Sequence, residues 1–168
     1  AMFHTIFEVD EMGKGQIDLK QDAEDLSLII KKSLKDYNVF ASSKNIKVQF
    51  EFDDIHKIEI DKKRMHQVIS NLVSNSLKYS PKNSDVLISL QKENNQLVFR
   101  ISNPIDGCAD ADKSCQDFSI ESATGFGLEI VIEILALHGS KLVISQEGDQ
   151  FVASFNPVSY THLTLPTT

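Results

Sequence analysis

The chain has 168 residues, 41% of them hydrophobic, which is enough for one globular domain with a single packed core. Its formal net charge of −7, without a cluster of Lys and Arg, argues against a nucleic-acid partner, because phosphate backbones are bound by clustered cations. No stretch approaches the roughly 18 apolar residues that span a bilayer, and the N-terminus lacks a signal-peptide pattern. We therefore expect no membrane contact from this stretch of chain, and an anionic ligand would have to be bound by a local group of residues.

The first part of the chain predicts one helix and two strands. Apolar residues at helical spacing indicate a helix over residues 22–41, with Asp22 or a neighbour as its cap. Apolar and polar residues alternate over residues 45–52, as in a half-buried strand. Residues 58–60 predict a second, short strand, and Asp61 can cap the helix that follows.

The helix after Asp61 has two distinct faces. Its apolar arc, which is expected to pack on the core, consists of Met65, Ile69, Leu72, Val73 and Leu77. Ser70 and Ser74 fall between the arcs and are expected to face solvent. The remaining polar arc, about 120° wide at 100° per residue, consists of Gln67, Asn71, Asn75, Lys78 and Tyr79. Either this arc is a second solvated face, or its amide oxygens and ammonium group are directed at a metal ion and phosphates.

The second part of the chain predicts two hairpins around a loop and a helix. Residues 86–91 and 96–102 read as strands joined at Asn94 and Asn95, which can adopt positive φ. Residues 103–124 lack periodicity, as expected for a loop that closes over a ligand. A nearly all-apolar helix over residues 127–138 and a closing hairpin over 141–155 complete the pattern. The order of elements predicts a two-layer α/β sandwich, with a mixed, mostly antiparallel sheet and helices on one face.

One motif in the two-faced helix carries a family resemblance. The spacing Gln67-x-x-x-Asn71-x-x-x-Asn75-x-x-Lys78-Tyr79-x-Pro81 resembles the N box of the ATP-binding catalytic domain of sensor histidine kinases. Those domains belong to the GHKL ATPase superfamily, together with type II topoisomerases, mismatch-repair ATPases and a heat-shock chaperone. The resemblance covers about residues 16–156, and it implies a Bergerat-type ATP-binding fold with ATP and Mg²⁺ as cofactors.

The resemblance implies a role for each residue of the polar arc. Asn71 would supply an oxygen to Mg²⁺, and Asn75 and Lys78 would contact the phosphates of ATP. Tyr79 would lie against the nucleotide. Gln67 occupies the place where many relatives carry a carboxylate that orients water. Because Gln cannot take up a proton, water activation at this position should be poor, which suits a kinase better than a hydrolase.

The start of the buried helix resembles the second glycine box of the same family. Its residues are Gly125, Phe126, Gly127 and Leu128, preceded by Thr124, whose hydroxyl can add a further contact. Glycines let the backbone approach a ligand closely, and the N–H groups at a helix start suit phosphate oxygens. A tight loop before a buried helix is the alternative interpretation.

The first glycine box departs from the family pattern. Relatives commonly show Asp-x-Gly-x-Gly after a strand, with the Asp carboxylate accepting a hydrogen bond from the adenine amino group. The corresponding residues here are Asn103-Pro104-Ile105-Asp106-Gly107. Asn103 can still accept through its side-chain oxygen, at a cost of about 1 kcal/mol relative to a charged acceptor. Gly107 is a predicted nucleotide contact, although a plain turn at Asp106 and Gly107 remains open.

Three segments and a function are predicted from these observations. Residues 1–15 are expected to be the remnant of a dimerisation helix and its linker, and residues 16–157 the ATP-binding catalytic domain. Residues 158–168 resemble a translated sequencing adapter and are treated as non-native. The cysteines, Cys108 and Cys115, have no His nearby at ligand spacing, so no zinc site is expected, while a disulfide between them stays open.

The resemblance implies the catalytic domain of a bacterial two-component sensor histidine kinase. It would donate the γ-phosphate of ATP to a histidine on a dimerisation domain outside this chain, with a response regulator as the further partner. The domain would be cytoplasmic, in a parent protein anchored in the inner membrane. The alternatives are a degenerate, pseudokinase-like module that binds nucleotide or protein without phosphotransfer, and another ATPase of the superfamily.

Overall fold

The computed structural model describes residues 19–53, 57–105 and 128–157. In chain order these residues form β1 (Gln21–Glu24), α1 (Leu26–Asp36), α2 (Asn38–Ser43), β2 (Lys47–Phe52), β3 (Ile58–Asp61), α3 (Lys62–Tyr79), β4 (Asp85–Glu93), β5 (Gln96–Pro104), α4 (Leu128–Leu137), β6 (Val143–Glu147) and β7 (Gln150–Phe155).

The main sheet has five strands in the order β2-β4-β5-β7-β6. Strand β2 runs parallel to β4, and the other neighbouring pairs are antiparallel. Strands β1 and β3 form a separate antiparallel pair. The predicted hairpin turns are confirmed, because Asn94 and Asn95 have φ of 54° and 62° and Gly148 has φ of 65°. The predicted α/β architecture with a mostly antiparallel sheet is therefore confirmed.

Helix α3 is the centre of the helical layer. It contacts α1, α4 and β5. All five residues of its predicted apolar arc are buried, together with Val68 and Ser76. The strand beneath it alternates, with Leu97, Phe99 and Ile101 buried and the residues between them half-buried. The hydrophobic core thus lies between α3 and the sheet, which leaves the polar arc of α3 on the other side of the helix.

The predicted first helix is wrong in two details. Residues Gln21–Glu24 form β1 instead of the helix start, because they pair with β3, and this tertiary pairing overrides their weak strand propensity. The cap of α1 is Asp25, a neighbour of Asp22, which accepts from the backbone N–H of Ser27 at 2.9 Å. The helical run is also interrupted at Tyr37, which has φ −106° and ψ 12° and separates α1 from α2.

The expectation that Ser70 faces solvent is wrong as well. The hydroxyl of Ser70 lies 3.1 Å from the hydroxyl of Ser33, which is fully buried on α1. The two serines form a hydrogen bond at the contact between α1 and α3. This side of α3 is therefore a helix–helix interface, which periodicity within one helix does not distinguish from a solvated side.

Buried polar contacts fix the start of α3. The carboxylate of Asp61 accepts from the N–H of Arg64 at 3.0 Å, which confirms the predicted cap, and also from the N–H of Lys20 at 2.9 Å. The backbone N–H of Asp61 donates to Nε2 of His138 at 3.1 Å. Nδ1 of the same ring lies 2.9 Å from the carbonyl oxygen of Ile134 and donates to it, because Nε2 is the acceptor. His138 therefore joins the end of α4 to the start of α3 as a neutral imidazole.

Burial lowers the pKa of His138, against the opposing effects of the Ile134 carbonyl and the Asp61 carboxylate. A proton is then bound more readily in the unfolded chain than in the folded one. The stabilising contribution of His138 is complete above the unfolded pKa of about 6.5 and declines as the pH falls below it, by at most about 1.4 kcal/mol per pH unit. We expect the free energy of unfolding, measured with urea, to decrease between pH 7.5 and 5.5.

The variant His138→Gln should show a flatter pH dependence than the wild type, in addition to a loss of about 1–3 kcal/mol for the disturbed buried hydrogen bonds. Ser33→Ala, which loses a hydrogen bond of a buried side chain without removing a titratable group, is the matched control and should retain the wild-type slope. Equal slopes for His138→Gln and the wild type would contradict the assignment.

Candidate functional site

The polar arc of α3 is a continuous surface in the structure. Because α3 is one uninterrupted helix, all five residues predicted for the arc lie on one face. Four of them, Gln67, Asn71, Asn75 and Tyr79, are half-buried, and Lys78 is exposed. The side chains are therefore held against the protein while they remain accessible to a ligand.

Gln67 has a neighbour that the sequence analysis did not identify. Nη1 of Arg64 donates to Oε1 of Gln67 at 3.4 Å, one helical turn away. The i, i+3 spacing of the two residues was the available signal. The guanidinium group uses one of the two lone pairs on the only acceptor atom of the Gln67 side chain, and an amide cannot take up a proton as a carboxylate can.

The phenol of Tyr79 is neutral at physiological pH. Partial burial raises its pKa above the ordinary value, through desolvation of the phenolate. Its hydroxyl can therefore donate or accept a hydrogen bond while the ring presents an apolar face. Both properties suit the predicted position against a nucleotide.

Asn103 is the most unusual residue of β5. It follows Leu97, Phe99 and Ile101 on the core-facing side of the strand and is itself 0% exposed. Its Nδ2 donates to the carbonyl oxygen of Pro104 at 2.8 Å. Its Oδ1 is buried and has no hydrogen-bond partner among the residues that the structure describes. A buried acceptor without a partner costs about 1–3 kcal/mol, so this position suits a ligand that brings a hydrogen-bond donor.

The end of α3 lies in a cationic concavity of about 530 Å³. Its lining residues are Lys44, Lys78, Tyr79, Ser80, Pro81 and Lys82. Three lysines line it, and no carboxylate belongs to this set of described residues. In a chain with a net charge of −7, this concavity is a local concentration of positive charge, which is the kind of surface that an anionic ligand needs. Sequence reasoning had assigned only Lys78 and Tyr79 to this place.

The remaining predicted site residues lie mostly outside the described part of the chain. These are Gly107, Thr124, Gly125, Phe126 and Gly127, together with the two cysteines. Leu128 is described: it is the first residue of α4, is 2% exposed, and belongs to a helix that contacts α3. The helix start that follows the second glycine box is therefore packed in the same layer as the polar arc.

Two features are absent from the described ranges. Within residues 19–53, 57–105 and 128–157, no three His, Cys, Asp or Glu side chains are grouped as they would be around a metal ion. No helix in the same ranges combines the length and the apolar character needed to cross a bilayer.

A two-layer α/β domain with an amide-bearing face on its central helix and a buried acceptor on the adjoining strand has the design of an ATP-binding domain. Comparison with known families agrees with this class. The chain belongs to the family of histidine kinase-, DNA gyrase B- and HSP90-like ATPases, whose model matches residues 60–159.

The curated relatives that the chain matches include a heme sensor protein. The chain is 27% identical to the heme sensor protein HssS of Staphylococcus epidermidis over 169 residues, an alignment that covers 90% of this chain and 37% of HssS. The chain thus spans about a third of the length of the curated relatives that it matches.

Solved structures share the fold. Full-length ShkA in complex with AMPPNP superposes with a TM-score of 0.73 at 18% identity, covering 93% of this chain and 35% of that one. The histidine kinase ThkA in complex with the response regulator TrrA gives a TM-score of 0.68 at 20% identity, covering 91% of this chain and 47% of that one.

The Oδ1 of Asn103, which has no partner among the described residues, leads to a test in which stability and ligand binding respond differently. In Asn103→Leu the unsatisfied polar atom is removed, so the free energy of unfolding should be unchanged or higher by about 1 kcal/mol. Affinity for Mg-ATP, measured by calorimetry, should fall at least tenfold. Asn103→Asp should bind Mg-ATP about fivefold more tightly, because a charged acceptor makes a stronger hydrogen bond.

Ser102→Ala, on the opposite face of the same strand, is the matched control and should leave both measurements unchanged. If Asn103→Leu binds Mg-ATP as tightly as the wild type, Asn103 does not contact the nucleotide.

Proposed function

We propose that this chain is the ATP-binding catalytic domain of a bacterial sensor histidine kinase, and that it transfers the γ-phosphate of ATP to a histidine on a dimerisation domain. The observation that carries the proposal is the buried Oδ1 of Asn103, which lacks a partner in the described residues and would accept a hydrogen bond from the adenine amino group. Family membership and the likeness to HssS support the same function. The AMPPNP complex of ShkA supports ATP as the ligand, because the two folds superpose.

Each residue of the polar arc has a distinct task in this proposal. Lys78 and the amide of Asn75 orient the phosphates, and Tyr79 covers the nucleotide. Asn71 would hold Mg²⁺ through its amide oxygen, a hard ligand of the kind that this ion accepts alongside water and phosphate oxygens. When bound, Mg²⁺ neutralises charge on the phosphates. Phosphoryl transfer needs mainly positioning and electrostatic stabilisation from the protein, and these residue types provide both.

Gln67 directs the site toward transfer. Its side chain cannot act as a general base, and Arg64 donates to its oxygen at 3.4 Å. Water in the site is therefore weakly activated, and the phosphoryl group is kept for the acceptor histidine. A hydrolytic ATPase of the same superfamily would be better served by a carboxylate at this position.

The partners and the location are part of the same proposal. The dimerisation domain of the same parent protein would present the acceptor histidine, and a response regulator would receive the phosphoryl group, as the complex of ThkA with TrrA suggests. The parent would be anchored in the inner membrane, with this domain in the cytoplasm. The alternative of a pseudokinase-like module is less well supported, because the altered first glycine box retains its acceptor atom in a buried position.

Phosphotransfer is tested by supplying the acceptor in trans. The full chain, incubated with Mg-ATP and a separately produced dimerisation domain of its parent, should label that domain with phosphate that is labile in acid and stable in base. Asn71→Ala should lower the initial rate at least a hundredfold, because removing one preorganised electrostatic contact has effects of this order.

Ser74→Ala removes a hydroxyl that bonds only the carbonyl oxygen of Asn71 in the described contacts, and it serves as the control with a rate near that of the wild type. Tight Mg-ATP binding without transfer would instead support the pseudokinase alternative.

A further inference from the structure

The C-terminal turn of α3 is held by a lysine from a distant part of the chain. Nζ of Lys44 donates to the carbonyl oxygen of Leu77 at 2.9 Å and to that of Lys78 at 3.0 Å. Lys44 lies directly after α2 and is separated from these carbonyls by 33 and 34 residues. The last carbonyls of a helix have no partner within the helix, so the two bonds satisfy acceptors that would otherwise need water.

The chain around Lys44 also fixes the segment that follows α3. The carbonyl oxygen of Lys44 accepts from the N–H of Asn83 at 2.9 Å, and the side chains of Asn45 and Asn83 are hydrogen-bonded at 2.6 Å. Both asparagines have positive φ, of 54° and 63°. The backbone N–H of Lys47 donates to Ser84 at 3.0 Å. Lys44 is therefore itself fixed by a network of contacts, and its ammonium group has a defined position.

This position matters because the last turn of α3 carries Lys78 and Tyr79. A helix C-terminus bears a partial negative charge of about half an elementary charge, which is unfavourable beside a phosphate. The ammonium group of Lys44 is hydrogen-bonded to two of the carbonyl oxygens that create this charge. It offsets the charge and restrains the backbone of the residues that would contact the nucleotide.

We propose that Lys44 is a positioning residue for nucleotide binding, which acts through Lys78 by fixing the C-terminal turn of α3. The proposal rests on the proposed function, because it assigns Lys78 to the phosphates of ATP. Lys44 does not contact the nucleotide itself. The structure thereby adds to the site a residue that precedes the N-box helix and belongs to a different element.

The test compares four single variants and one double variant of the full chain by calorimetry with Mg-ATP. Lys44→Met removes the ammonium group, keeps an unbranched side chain, and should weaken affinity about tenfold. Lys44→Arg retains donors for the carbonyls and should remain within twofold of the wild type. Lys82→Met removes the same charge from the same concavity, without a described bond to α3, and should weaken affinity only by the loss of one exposed charge, about threefold.

The fourth variant is Lys78→Ala, alone and combined with Lys44→Met. If Lys44 acts through Lys78, the double variant should bind no more than twofold weaker than Lys78→Ala alone, since the two effects are not additive. A merely structural role would weaken binding by the same factor in both backgrounds. Thermal unfolding of each variant identifies any that does not fold, and in that case Lys44→Gln replaces Lys44→Met.

The outcomes separate the two proposals. Absence of Mg-ATP binding by the wild type at millimolar nucleotide would overturn the proposed function and the role of Lys44 with it. Binding by the wild type together with equal effects of Lys44→Met and Lys82→Met would overturn the positioning role alone. Full additivity in the double variant would do the same.

Discussion

Helix α3 is the element on which the other parts of the domain depend, because it has to satisfy opposite demands on its two sides. One side is packed against the sheet and the neighbouring helices, and the other has to remain open and polar. Apolar packing on one side is not directional, so by itself it does not fix the position of the helix along and about its own axis. Side chains from other elements therefore fix both ends, with Asp61 and His138 at the start and Lys44 at the end. All three make hydrogen bonds to backbone groups that the helix itself leaves without partners.

The polar atoms near the site are in part unfavourable for the stability of the isolated domain. The polar arc has four half-buried positions that apolar side chains could have filled. Asn103 likewise occupies a position of β5 where the alternation predicts another apolar residue. A buried, unpartnered acceptor destabilises the folded chain by about 1–3 kcal/mol, a sizeable part of the 5–15 kcal/mol that holds a typical domain together. A residue that lowers stability while it offers an acceptor to a ligand is characteristic of a binding site.

The parts of the fold that were predictable from sequence are those set by short-range chemistry. The asparagine pair at 94–95 determines its hairpin through positive φ, and Asp61 determines the start of α3 through its side-chain oxygen. Strand β1 was not predictable, because its residues are mostly exposed and polar and become a strand only by pairing with β3. The interruption at Tyr37 lacks a Gly or Pro that would signal it. Ser70 was predicted to face solvent because the periodicity of one helix gives no information about where a second helix, α1, packs against it.

The candidate site was predictable in its residue types and not in its supporting contacts. The spacing of the asparagines, Lys78 and Tyr79 is local, and the helix places them on one face by its geometry alone. The contributions of Lys44 and His138 depend on residues that are 33 to 77 positions apart. Such contacts arise from the packing of the whole domain, and a single sequence carries no local signal for them.

The electrostatics of the site are likewise a local property. The chain has a net charge of −7, which by itself would repel a nucleotide. At physiological ionic strength, however, exposed charges are screened beyond about 8 Å. A phosphate at the end of α3 is therefore influenced mainly by the three lysines that line this concavity, and little by the carboxylates spread over the rest of the surface. Lys44 further offsets the partial negative charge at the C-terminal end of the helix dipole, because its ammonium group donates to the carbonyl oxygens there. The charges that an anion at this helix end would meet are thus set by the fold, and the net charge of the chain has little part in them.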